Sequence, residues 1–286
     1  MGQDRPIRIG RIDYANAWPL FHDLERHASG IELEIVSRVP SGLNRMLSAG
    51  ELDAAAVSSF AYGLGWHEYL LLPELSVGSV GKVHSILLFL KEPLERKLPG
   101  RIALTTTSAT SVNLLKIIMA KRFQCVPEYV SAEPKLDEML AVADAALLIG
   151  DPAIEASWRD HGLHVLDLGE LWNDWTGLGM AYAVVAARRE SVRREPEAFR
   201  SLLGAFRTTR AYNVEHRDKL SALACDRLGG TPAYWDQYFG SLRYGFDDRL
   251  KNGLALYFQY ARELDLLPHE VQLAFLEEQS LLKVNE

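Results

Sequence analysis

The chain has 286 residues, 48% hydrophobic and 24% charged, which is enough apolar material for a sizeable core and for two domains. A net charge of −7 argues against nonspecific nucleic-acid binding and against docking on an anionic membrane. Cys125 and Cys225 form no CxxC motif and imply no disulfide framework, although a single disulfide between them stays open. A reducing, cytoplasmic setting is therefore expected. The opening MGQDRPIRIG lacks the apolar core of a signal peptide, and no stretch approaches the ~18 apolar residues of a membrane span.

Ile7–Ile12 alternates as a strand, and the loop Asp13–Ala17 follows it. Pro19 suits a first helical turn, with a helix continuing over Leu20–His27 and Gly30 closing it. Ile31–Val36 reads as a strand. Pro40 and Ser41 open a helix with Leu43, Met46 and Leu47 on one face, and Ala54–Val57 is a short buried strand. Leu70–Leu75 and Val83–Leu90 are further strands. Arg101–Leu104 precedes a hydroxyl-rich loop, Thr105–Ser111, and a helix over Val112–Arg122. After Met180 the pattern changes. Ala181–Ala187 reads as a returning strand, and helices are expected at Pro196–Val214, Asp218–Leu228, Pro232–Phe239, Asp247–Leu264 and Pro268–Leu282.

The second part repeats the plan of the first. Arg8-Ile9 recurs as Arg101-Ile102, and Leu43, Met46 and Leu47 recur at the same spacing as Leu136, Met139 and Leu140. Asp53-Ala-Ala then recurs as Asp144-Ala-Ala after a two-residue deletion. Two similar α/β lobes follow, with the first loop of each at the carboxyl end of its strand. The first lobe is placed at residues 1–89 plus 181–286 and the second at 90–180, with crossings near Phe89–Pro93 and Gly179–Tyr182. The helical tail is expected to cover the first lobe and the hinge.

Six of the seven residues in Thr105–Ser111 are Ser or Thr. A hydroxyl-rich loop at a helix start combines free N–H groups, the positive end of the helix dipole and neutral donors, which suits an anion such as a carboxylate. Thr107, Ser108, Thr110 and Ser111 are its candidate contacts, although one hydroxyl that merely caps the helix is the alternative. Four other segments are expected at the lobe interface. Tyr14–Leu20 brings Asn16, with an amide donor and a carbonyl acceptor, beside Tyr14 and Trp18. Ser58 ends a buried strand and either meets ligand or caps the next helix. In Lys82–Ser85, alternation turns Ser85 with Val83 and away from Lys82 and His84. Asp151, after Gly150, caps a helix, accepts a substrate hydroxyl or handles a proton. Trp175-Thr176-Gly177 is a fifth candidate, with Thr176 lining the opposite wall. No GxSxG elbow, P-loop or HExxH is present, and His161 and His164 specify no metal site, so neither metal nor nucleotide cofactor is expected.

Taken together, IGRIDYANAWPLFHDL, PSGLNRMLSAGELDAAAVSS, KVHSILLFL, IALTTTSATSVNLLKII and LLIGDPAIEA resemble the menaquinone-biosynthesis MqnA family, the chorismate dehydratases of the futalosine pathway. The resemblance spans about residues 7–187. It implies a two-lobed fold of the type II periplasmic-binding-protein kind without export, and conversion of chorismate to 3-[(1-carboxyvinyl)oxy]benzoate and water. It also implies Asn16 and Ser85 as the leading catalytic positions, the first holding the departing hydroxyl or the enolpyruvyl group, the second donating to a carboxylate or relaying a proton. The related enzyme that makes 1,4-dihydroxy-6-naphthoate shares the fold, but YANAWPL resembles the dehydratase branch. A noncatalytic solute-binding protein for a small organic anion is the other alternative.

Overall fold

A computed structural model describes residues 5–277. The first lobe is built on β1 (Ile7–Ile12), β2 (Leu33–Arg38), β3 (Ala54–Ser58) and β4 (Tyr69–Ser79). The second contains β5 (Ile86–Leu90), β6 (Arg101–Thr105), β7 (Glu128–Ala132), β8 (Ala145–Ile149) and β9 (His164–Asp167). The chain then returns through β10 (Met180–Arg188), and the short β11 (Leu242–Arg243) is added later. The two sheets run β11-β4-β10-β3-β1-β2 and β7-β6-β8-β5-β9. In each, three parallel strands are joined by one antiparallel strand from the crossing chain, β10 in the first and β5 in the second. Every residue of β3, β5 and β8 is buried, as continuous apolar runs in central strands require. The fold is the two-lobed α/β arrangement anticipated from the repeat.

The repeat has a physical basis. Asp53 receives the Arg8 N–H at 3.0 Å and gives its own N–H to the Arg8 carbonyl at 2.8 Å. Asp144 does the same with Arg101, at 3.0 and 2.9 Å. Arg8 Nε then donates to Glu34 and Arg101 Nε to Glu128. The paired Arg and Asp therefore staple the start of β1 and the start of β6 to the strands beside them.

Three expectations are corrected. The chain changes sheet between Ser79 and Ile86, because β5 pairs with β8 and β9; the first boundary lies before residue 86, not at 89/90. Asp167 holds this crossing, accepting from the Val83 N–H at 3.1 Å and the His84 N–H at 2.6 Å while also capping the helix Leu168–Thr176. The expected helix Leu20–His27 is two short ones, Trp18–Phe21 and Leu24–His27, broken where Asp23 turns to φ +59°. Asn213 Nδ2 takes the freed His22 carbonyl at 2.9 Å. Finally, Pro268–Glu277 is not helical. Leu71 gives its N–H to the Ala274 carbonyl and its carbonyl to the Leu276 N–H, so this stretch lies along β4 as an added strand-like bridge. The rest of that expected helix, 278–282, lies outside the described residues.

The tail does more than cover the first lobe. Its helix Asp248–Glu263 packs so tightly on the returning chain that a Cβ at Gly253 would fall 1.7 Å from the Gly179 carbonyl oxygen. The same helix reaches the second lobe, with Tyr260 stacked on Trp175 at 5.3 Å and Glu263 paired with Lys121.

Candidate active site between the lobes

The loops at the carboxyl ends of β1, β3, β6 and β8 face one another and close on each other. Tyr14 follows β1 and is buried; its ring lies against Gly150, which follows β8. A Cβ at Gly150 would sit 2.7 Å from the ring, and its φ of +62° also favours glycine. Burial pushes the Tyr14 phenol upward, against a hydrogen bond with Thr107 of the second lobe. Next to Tyr14, the Ala15 N–H donates to Asp151 Oδ1 at 3.1 Å. Burial raises the Asp151 carboxyl to about 6 despite that bond. Asn16 forms the middle of the short 3-10 turn Ala15–Ala17, and its Oδ1 is buried without a hydrogen-bond partner.

Ser85 meets this group from the crossing segment. Its side chain has no exposure, its carbonyl accepts the Gly150 N–H at 2.8 Å, and its Oγ donates to the Val83 carbonyl at 3.3 Å and accepts from the Tyr238 hydroxyl at 2.9 Å. Val83 and Ser85 are buried and Lys82 is exposed, but the expected strand begins only at Ile86, so the turn that Asp167 holds sets this sidedness and strand alternation does not. His84, partly exposed, has φ +60°.

The hydroxyl-rich loop serves a second purpose. Ser108 caps the helix Ala109–Ile117, accepting from the Ser111 N–H at 3.2 Å and donating to Ser111 Oγ at 3.1 Å. Thr110 Oγ1 accepts the Phe60 N–H of the first lobe at 3.0 Å, and the Thr107 carbonyl accepts the Ser41 N–H at 3.2 Å. Thr107 Oγ1 also pairs with Thr105 Oγ1 at 2.9 Å. Part of the loop's hydrogen-bonding capacity thus joins the two lobes in this closed arrangement.

Tyr14, Asn16, Ser85, Thr107, Thr110 and Asp151 therefore share the seam between the lobes. Ser58 caps the helix Ser59–Leu64, accepting from Ala61 N–H and from Asn44 Nδ2. Thr176 is not brought to the seam. Its hydroxyl donates to the Trp172 carbonyl at 2.8 Å and accepts the Leu178 N–H at 3.2 Å, which closes the C-terminal turn of its own helix. At the edge of the seam, Arg11, Asp13, Trp18, His22, Asp151 and Arg227 line a cavity of about 290 Å³. Arg227 lies over the Trp18 ring at 5.6 Å, and Arg11 donates to Ser37. Lys82 is turned away and pairs with Glu170 at 3.4 Å. Both cysteines are free thiols.

Residues 7–263 match the family described as menaquinone biosynthesis. The chain belongs to that family. It is 35% identical over 265 residues to the chorismate dehydratase of Thermus thermophilus, covering 87% of this chain and 93% of the relative. A 1,4-dihydroxy-6-naphthoate synthase of Streptomyces coelicolor is 27% identical, over 64% of this chain and 68% of that protein. Among solved structures, protein AF1704 of Archaeoglobus fulgidus superposes with a TM-score of 0.72 at 23% identity, covering 93% of this chain and all of that one. The periplasmic aliphatic sulphonate binding protein SsuA of Escherichia coli follows at 0.69 and 17%, over 95% and 96%. At those identities the likeness establishes the periplasmic-binding-protein fold. No helix among the described residues is long and apolar enough to cross a membrane.

Within this member of the family, the residues missed by sequence reasoning are those that reach the seam from the tail. Tyr238 donates to Ser85, and Tyr257 donates to the Thr110 carbonyl at 3.2 Å. The one available signal was the density of aromatic residues in Tyr234-Trp-Asp-Gln-Tyr238-Phe239, which exceeds what a covering helix needs.

Proposed function

We propose that the chain is a cytosolic chorismate dehydratase, a carbon–oxygen lyase that forms 3-[(1-carboxyvinyl)oxy]benzoate and water. The observation that carries this reading is Asn16, whose amide oxygen is buried and partnerless on the seam where both lobes' loops meet. Such an orphan costs about 1–3 kcal/mol, a cost that a ligand hydroxyl would offset. The 35% identity to the Thermus thermophilus dehydratase over most of the chain supports the same reading.

The chemistry asks for little beyond orientation. The C–H bond on the ring carbon that carries the ether breaks, and its electron pair becomes the last ring π bond. The adjacent C–O bond breaks with its pair on oxygen, and the proton ends on that oxygen as water. The step is redox-neutral, and aromatisation drives it. In this reading Asn16 accepts from the departing hydroxyl, Ser85 donates to a substrate oxygen, and the Thr107–Ser111 loop holds a carboxylate through neutral donors and the helix start. A substrate carboxylate takes the ring proton, because Asn16 and Ser85 are weak bases at neutral pH. Asp151 supports a second assignment of the base: a buried carboxyl near 6 lies within the useful range for proton transfer. Asp151→Asn decides between them. Retention of most of kcat leaves the proton to the substrate, whereas loss of ~100-fold or more assigns it to Asp151.

The naphthoate-synthase branch is tested by supplying chorismate and cyclic dehypoxanthine futalosine side by side. Consumption of chorismate alone is expected; consumption of the futalosine alone would move the chain to that branch.

A further inference from the structure

The helix Pro232–Ser241 carries Tyr234, Trp235, Tyr238 and Phe239, spaced so that they share one side. Trp235, Tyr238 and Phe239 are 0–1% exposed. Their ring partners come from both lobes: Trp18 lies 6.5 Å from Phe239, and Trp158 lies 5.2 Å from Tyr234 and 6.0 Å from Trp235. A phenylalanine at 238 would supply the same packing. The hydroxyl is the additional feature, and a buried hydroxyl costs about 1–3 kcal/mol unless it is bonded.

Its partner is Ser85 Oγ at 2.9 Å. Burial holds the Tyr238 phenol far above its ordinary range, so it remains a proton donor at any working pH. With a lone pair of Ser85 occupied by that donor, the serine proton must point elsewhere. The Val83 carbonyl takes it at 3.3 Å, long for an O–H···O bond, whose usual range ends near 3.0 Å. A substrate oxygen in the seam therefore competes easily for that proton. The resulting series, Tyr238 O–H to Ser85 O–H to substrate oxygen, strengthens the last donor because each bond polarises the next.

We infer that Tyr238 is a positioning residue for Ser85, fixing its rotamer and sharpening its donation to substrate, without touching the substrate itself. The inference rests on the reading of this chain as a chorismate dehydratase with Ser85 in its site. It also gives the tail a role in the reaction: the aromatic helix braced on both lobes sets the donor of the crossing segment.

The test is a double-mutant cycle in the full chain, with Tyr238→Phe, Ser85→Ala and the pair, each assayed for kcat and KM on chorismate. Tyr238→Phe should lower kcat by about 10- to 100-fold, with KM changed less than about threefold and the melting temperature close to wild type. In the Ser85→Ala background it should cost nothing more. Wild-type kcat in Tyr238→Phe, or losses that multiply in the pair, would overturn the inference. A wild type inert toward chorismate would instead overturn the functional reading and, with it, the catalytic consequence. The hydrogen bond is read separately by NMR of tyrosine labelled with carbon-13 at Cζ, where the signal lost in Tyr238→Phe identifies the residue. That signal should shift in Ser85→Ala, and an unmoved signal would overturn the pairing whatever the activity.

Discussion

Gly150→Ala probes the closed seam directly. The new Cβ would lie 2.7 Å from Tyr14 Cδ2 and 2.8 Å from Cγ. These atoms are at the root of the ring, so a simple swing of the side-chain end does not relieve them. Two costs separate. The left-handed φ of +62° costs about 1–2 kcal/mol whether the lobes are open or closed. It appears as a melting temperature lower by roughly 2–8 °C, with the chain still folded at 25 °C. The clash exists only when the lobes meet, because Tyr14 belongs to one and Gly150 to the other. Overpacking of this kind costs about 1–3 kcal/mol, which lowers the closed-to-open ratio by about 5- to 150-fold. Initial rates at subsaturating chorismate should fall by up to that factor, with circular dichroism showing a folded protein. A variant with wild-type kcat/KM would refute the view that the Tyr14–Gly150 contact belongs to the working state.

Other outcomes follow from the same geometry. Asn16→Ala should lower kcat by ~100-fold or more, yet leave the melting temperature unchanged or higher, because it removes a buried oxygen without a partner; a large thermal loss would show that Asn16 is structural. Asp151 carries a carboxyl raised to about 6, so the folded state holds its proton where the unfolded chain has lost it. Its contribution is fully present below pH ~4, falls as pH rises through about 6, and is flat above. Denaturant titrations should therefore show Asp151→Asn gaining on wild type between pH ~4 and 6, by on the order of 2–3 kcal/mol, and a constant difference would contradict this. Asp53 behaves oppositely. Burial would raise its carboxyl, but hydrogen bonds from Arg5, the Arg8 N–H and Ser191 outweigh burial and hold it below its ordinary value. Asp53→Asn should cost about 1–3 kcal/mol at neutral pH, moderated because its two ion-pair partners, Arg5 at 2.7 Å and Arg194 at 2.9 Å, are themselves partly exposed. That difference should shrink on acidification below pH ~4, through the lowered carboxyl, and its persistence would count against the ion pair.

The fold was legible because its signals are local. Apolar runs such as Ala54–Val57 and Val83–Leu90 read as strands, the second three residues too long at its start, and the recurring Arg and Asp mark equivalent staples in the two lobes. The grouping of Tyr14, Asn16, Thr107, Thr110 and Asp151 was legible for the same reason, since each ends a strand of one of two matching halves. What sequence could not carry was the use of a group once the halves met. Thr110 looked like a ligand donor, yet in this closed arrangement its hydroxyl accepts from Phe60 across the seam. Thr176 looked like a wall residue, yet the turn it closes docks through Trp175 on Tyr260, a tail residue 84 positions on. Pro268–Glu277 has helical spacing, but the Leu71 backbone and the Tyr62 hydroxyl take up its backbone groups at Gln272, Ala274 and Leu276 and keep it extended. Tyr238 was illegible because the serine it serves lies 153 residues earlier.

Following purified protein with chorismate by proton NMR tests the dehydration most directly. A dehydratase should show loss of the ring-hydroxyl methine signals, growth of four aromatic protons, and retention of the two enol-ether vinylidene protons, with one water formed per chorismate. Unchanged chorismate, together with tight binding of a different organic anion, would contradict it and leave a noncatalytic binding protein.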